Sequence, residues 1–111
     1  MKMNKTIIQS FLTILLLLLS SCDSDSTLKV YVSPSGNDSN NGSIEAPYQT
    51  ISKARDYIRT LNKAGRKQNI EVILSGGTYF INEAIVFNTV DGGDGQNSVI
   101  YRSAKDEVAS I

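Results

Sequence analysis

The residues that could do chemistry in this chain are few, and they fall in three places. One is the stretch YVSPSGNDSNNGSIEAPYQTI, Tyr31 to Ile51, dense in Asn, Asp, Ser and Gly. The second is the acidic set formed by Glu83 and the DGGDG run, Asp91 to Gly95. The third is Cys22, the only cysteine. Oxygen-rich loops invite calcium. An EF-hand loop needs oxygen ligands at its first, third and fifth positions, glycine at the sixth and a bidentate glutamate at the twelfth. With Gly42 at the sixth position, Asn37 is the first and Tyr48 the twelfth, so the charged first ligand and the closing carboxylate are both missing. DGGDG has the composition of one Gly/Asp calcium repeat, but such repeats bind by stacking copies and this one occurs once. A turn is the simpler reading of both. Asp91, Asp94 and Glu83 are expected to be exposed acids serving turns and solubility, and no catalytic residue is assigned.

Several chemistries are excluded outright. With no histidine, this chain cannot build a Ser-His-Asp triad or a His-ligated zinc site. Eleven basic residues balance eleven acidic ones. Removing residues 1–21 takes away Lys2 and Lys5 and no acid, which leaves nine basic residues against eleven acidic. A nucleic-acid partner, which wants a clustered basic surface, is therefore not expected.

The start, MKMNKTIIQSFLTILLLLLSSC, has the charged region, apolar core and small-residue cleavage zone of a secretory signal. Its apolar run, Phe11 to Leu19, falls short of the roughly 20 residues of a comfortable transmembrane helix. Leu19-Ser20-Ser21-Cys22 resembles the bacterial lipobox, in which the cysteine is lipidated and becomes the mature N-terminus. Lipidation also explains a lone cysteine in an exported protein and leaves no thiol for catalysis or disulfides. The expected organisation is a lipoprotein signal peptide over 1–21, a lipidated Cys22 with an acidic tether over 22–28, and a folded domain over 29–111. The expected location is the outer membrane or cell surface of a Gram-negative bacterium, anchored through lipid.

The elements that must position these residues are short. LKVYVS, Leu28 to Ser33, reads as a strand with Val30 and Val32 on one face and Lys29 and Tyr31 on the other. YQTISKARDYIRTLNKAG reads as a helix. Ile51, Ala54, Tyr57, Ile58, Leu61 and Ala64 lie on its apolar face, with Thr50 as N-cap and Gly65 as terminator. Lys53, Arg55, Arg59 and Lys63, interrupted by Asp56, make a basic face that reads as solvated sooner than as a polyanion site. IEVIL, Ile70 to Leu74, is apolar enough for a strand covered on both faces. Gly76-Gly77 is a turn. Thr78–Ile81, Ala84–Asn88 and Ser98–Ser103 read as three further strands.

In order and spacing, YVSPSGNDSNNGSIEAPYQTISKARDYIR, VILSGGTYFINEAIVF and VIYRSA resemble the N-terminal segment of pectate-lyase-like right-handed parallel β-helix proteins. The likeness runs from about Val30 to Ser103 and is closest to exported lipoprotein β-helix glycoside hydrolases, with polysaccharide lyases next. One departure is DEVASI, where members of the family continue into further rungs. The resemblance implies a mainly β fold: a right-handed parallel β-helix with an N-terminal capping helix and about one coil. Val72 and Ile100, 28 residues apart, would be equivalent positions of successive coils. The alternative is a compact α/β domain with a single sheet under one helix.

A repeat fold needs about three repeats to bury a continuous core, so the chain is expected to be a fragment of a longer protein, itself structural. The parent is expected to be a glycoside hydrolase or polysaccharide lyase whose partner is a polysaccharide. No cofactor is identified, and calcium remains open for further coils. The competing expectation is a non-catalytic glycan-binding or adhesive surface β-helix, or a small structural lipoprotein.

Overall fold

The structure, a computed structural model, describes residues 26–111. The signal peptide, Cys22 and most of the tether lie outside the described residues. Among the described residues the fold is small and sheet-containing, with parallel strands and one α-helix. In chain order it comprises β1 (Leu28–Val32), α1 (Ile51–Lys63), β2 (Ile70–Leu74), β3 (Gly77–Thr78), a 3-10 turn (Thr89–Asp91), β4 (Val99–Ser103) and β5 (Ala109–Ser110).

Two parallel sheets form, one ordered β1-β2-β4 and the other pairing β3 with β5. This differs from the single-sheet alternative. Val30, Val72 and Tyr101 share one register row. The equivalent of Val72 is therefore Tyr101, one residue beyond the expected Ile100, which lies opposite Glu71 instead. Side chains alternate faces along a strand, so this one-residue difference inverts the assignment. Val99 and Tyr101 pack against the core, while Ile100 is 49% exposed.

The core forms from Val30, Val32, Ile70 and Val72 of the sheet, with Ile51, Ala54 and Ile58 of α1 laid over them. Burying Ile58 alone contributes about 2 kcal/mol. Ile73 is also buried, on the opposite side of β2 from Val72, as expected for a central strand. The expected apolar face of α1 holds except at Ala64, which is exposed at the C-cap.

Both ends of α1 are set by local chemistry. Thr50 Oγ1 accepts from the Lys53 amide at 3.2 Å. At the other end the Gly65 amide donates to the Asn62 carbonyl and the Arg66 amide to the Leu61 carbonyl, both at 3.1 Å. This Schellman arrangement needs a positive φ at Gly65, which has φ 83°.

The Asn/Asp/Gly stretch is a built element. It covers the outer edge of β1: the Tyr31 amide donates to the Gly42 carbonyl at 2.8 Å, and the Ser33 amide to the Tyr48 carbonyl at 2.8 Å. An open strand edge is a template for unwanted pairing, and this loop occupies it. Asp38 then ties the loop to the helix start. Its carboxylate accepts from the Gln49 and Thr50 amides, each at 2.9 Å, and from the Thr50 hydroxyl at 2.7 Å.

Two expected strands change. Of Thr78–Ile81 only Thr78 lies in a strand, with Gly77 in β3, and Ala84–Asn88 forms no strand. Conversely, DEVASI supplies β5.

Candidate functional site

The chain folds back after β3 because Tyr79 is anchored. Its hydroxyl lies 2.8 Å from the Ser75 carbonyl and 3.1 Å from the Val32 carbonyl, and its ring is buried in the core. Burial pushes the Tyr79 hydroxyl pKa up. From that anchor, residues 80–85 run past the N-terminal turn of α1. Between them lies a groove of about 680 Å³, with Gln49, Ser52 and Arg55 on the helix side and Phe80, Asn82 and Glu83 on the other.

Glu83 is the one acid among the groove's lining residues. Acid/base cleavage of a glycosidic bond uses two carboxyl groups flanking that bond, so the groove lacks the pair. Arg55 is committed elsewhere, donating to the Val86 carbonyl at 3.0 Å and to Asp56 at 2.7 Å.

Asp91 departs from its expected exposure. It is only 2% exposed. Arg59 donates to it from Nε at 2.6 Å and from Nη2 at 2.8 Å, and the Asn88 amide donates to it at 2.9 Å. The Arg59 hydrogen bond, opposed by burial and helped by the Asn88 amide, holds the carboxyl pKa at about 2. Asp94 is exposed and caps a turn, accepting from the Gln96 amide at 3.0 Å and the Asn97 amide at 2.7 Å. These amides lower its pKa. The three acids thus divide into one groove residue, one buried ion-pair partner and one turn cap.

The polar side of α1 is also more than a solvated face. Arg55, Arg59, Asn62 and Arg66 hold the segment 86–92. Asn62 Nδ2 donates to the Val90 carbonyl at 2.6 Å and to the Gly92 carbonyl at 3.1 Å. Arg66 donates to Asn62 Oδ1 at 2.7 Å, to the Gly92 carbonyl at 3.3 Å and to the Gln68 carbonyl. Lys53, Asp56 and Lys63 remain exposed. Sequence periodicity identifies the face but not its partner, which lies 28 to 32 residues further along the chain.

Among the described residues no group of three or more His, Cys, Asp or Glu could hold a metal ion. No described helix is long and apolar enough to cross a membrane.

No family model matches the chain, and no curated protein matches it. Two solved structures do. A glycoside hydrolase superposes with a TM-score of 0.70 at 26% identity, covering 74% of this chain and 14% of its own. A complex of XylC with xylose superposes with a TM-score of 0.52 at 20% identity, covering 74% of this chain and 11% of its own. The chain therefore spans a small part of the length of both.

Proposed function

We propose that the chain forms the N-terminal cap and first coil of a right-handed parallel β-helix in a protein that acts on polysaccharide as a glycoside hydrolase or polysaccharide lyase. The observation that carries the reading is the repeat of a two-sheet corner. β2 leads through a turn to β3, β4 leads to β5, and each strand of the second pair lies parallel beside its counterpart in the first. That is the relation expected between successive coils of a solenoid. The β1 edge closed by the Asn/Gly loop, with α1 over the core, fits a cap. The likeness to a glycoside hydrolase supports the carbohydrate assignment, and fold alone does not fix activity.

In this reading the cap is structural, and cleavage needs side chains from several stacked coils. A glycan panel tests it on the whole protein. Reducing-sugar release marks a hydrolase and absorbance of unsaturated uronates marks a lyase. Silence on both, with glycan binding retained, favours the second reading, a non-catalytic glycan-binding surface protein.

Export and lipidation at Cys22 belong to the same proposal, resting on the Leu19–Cys22 pattern. Stable anchoring takes more than one acyl chain. Cys22→Ser should move the protein from the detergent phase to the aqueous phase on partitioning. Retention of the variant in detergent would count against the anchor.

A further inference from the structure

We infer that the groove between the start of α1 and residues 78–85 is a binding site for a short neutral oligosaccharide, with the Phe80 ring as its platform. The inference rests on the carbohydrate reading above and adds a site to it. Tyr79 is 5% exposed and Phe80, its neighbour, is 87% exposed. The contrast has a cause. The Tyr79 hydroxyl reaches the Ser75 and Val32 carbonyls. With Tyr79 turned inward, its neighbour Phe80 is left on the outside. Phe80 is therefore presented to solvent on the groove wall, where a ligand can reach it.

The chemistry of the groove selects its ligand. A volume of about 680 Å³ lies within the roughly 300–1,000 Å³ range of small-molecule sites. An aromatic face is electron-rich and attracts the C–H face of a pyranose, leaving the sugar hydroxyls at the rim. Gln49, Ser52 and Asn82 also line the groove, and their side chains make no hydrogen bonds among the described residues. A few such polar groups around an apolar platform fix orientation and give specificity. Arg55 already spends its guanidinium on Asp56 and the Val86 carbonyl. Glu83 leaves a carboxylate that can accept from a sugar hydroxyl and repels a uronate. These features favour a neutral sugar, bound without cleavage because the second carboxylate is missing.

The test titrates the full chain in detergent with xylotriose, cellotriose and trigalacturonate by calorimetry, alongside Phe80→Ala and Glu83→Gln. The expected result is saturable binding of xylotriose or cellotriose that Phe80→Ala weakens roughly tenfold, with the thermal midpoint unchanged because Phe80 is exposed. Trigalacturonate should bind more weakly and gain from Glu83→Gln. Absence of saturable binding by either neutral trisaccharide overturns the site, as does equal affinity in Phe80→Ala or a preference for trigalacturonate. If polymer turnover by the whole protein persists while trisaccharide binding fails, the groove is refuted and the carbohydrate reading stands. If neither activity nor binding appears on any glycan, the carbohydrate reading itself falls.

Discussion

Arg59 on α1 grips both carboxylate oxygens of Asp91, 32 residues further along the chain, at 2.6 and 2.8 Å. The same carboxylate accepts from the Asn88 amide, and Asn88 Oδ1 accepts from the Val90 amide at 3.0 Å. One side chain thus closes the 3-10 turn and fastens the segment that follows residue 85 to the helix.

The first prediction concerns that fastening. Asp91→Asn keeps the size but offers one acceptor oxygen where two are used, and it leaves the Arg59 charge beside a neutral group. Removing one partner of a buried, hydrogen-bonded pair is costly, here about 2 kcal/mol. Urea denaturation should show a lower midpoint at unchanged slope. An unchanged midpoint would mean that the 86–92 segment is held by Asn62 and Arg66 without Asp91.

The second prediction follows from the depressed Asp91 pKa, about 2 against an ordinary 3.8. The unfolded chain binds the proton more tightly than the folded one, so stability rises with pH in that interval. The contribution is present above pH 3.8 and is lost as pH falls through about 2. Asp94, also lowered, acts in the same direction. Urea midpoints measured from pH 5 downward should fall, and Asp91→Asn should flatten the curve over this window. Parallel curves for the two proteins would contradict the linkage.

What sequence reasoning could find depended on how local the determinants were. β1, α1, β2 and β4 were legible within a residue or two, since alternation, helical periodicity, the Thr50 cap and Gly65 all act over a few residues. Ala84–Asn88 has strand composition but no strand beside it, and β propensity largely expresses packing against neighbours. The register of β4 is not legible in the sequence because Val99-Ile100-Tyr101 is apolar at every position, so alternation does not choose a face. Asp91 looked exposed because DGGDG is a turn-like context and Arg59 is far away in sequence. The groove was invisible for the same reason, as its walls come from the helix start and from residues after β3. Of the groove's lining residues the sequence offers Thr50, Ile51 and Arg55 as parts of the helix and Glu83 as an exposed acid, and what sets Phe80 apart is the anchoring of Tyr79.

The third prediction separates two glycines that share a left-handed backbone. Gly42 has φ 81° and is buried, and a Cβ there would meet the Tyr48 ring at 2.7 Å. Gly65 has φ 83° with nothing within 4 Å of a Cβ. Gly65→Ala bears the backbone cost alone, about 1 kcal/mol. Gly42→Ala adds a clash with Tyr48, whose ring also packs edge-on against Tyr57 at 6.1 Å, for a total of about 3 kcal/mol. Thermal melts of the two variants should rank in that order. Equal losses would mean that the loop yields easily and does not hold the β1 edge.

The fourth prediction concerns Tyr101. Its ring meets Phe87 edge-on at a centroid distance of 5.4 Å, but its buried hydroxyl has no hydrogen-bond partner among the described residues. Burial, helped by the negative charge of Asp91 and opposed by Arg55, pushes that hydroxyl up to about 12. A Tyr pKa raised on folding gives stability that is complete below the unfolded value of about 10 and is lost as pH climbs through about 12. Tyr101→Phe keeps the aromatic contact and removes the unpaired hydroxyl, so stability at neutral pH should hold or rise by about 1 kcal/mol. The variant should also lose less stability than the parent between pH 10 and 12, and its alkaline ultraviolet titration should lack the highest tyrosine step. A clear destabilisation at neutral pH would show that the hydroxyl has a partner after all, such as a buried water.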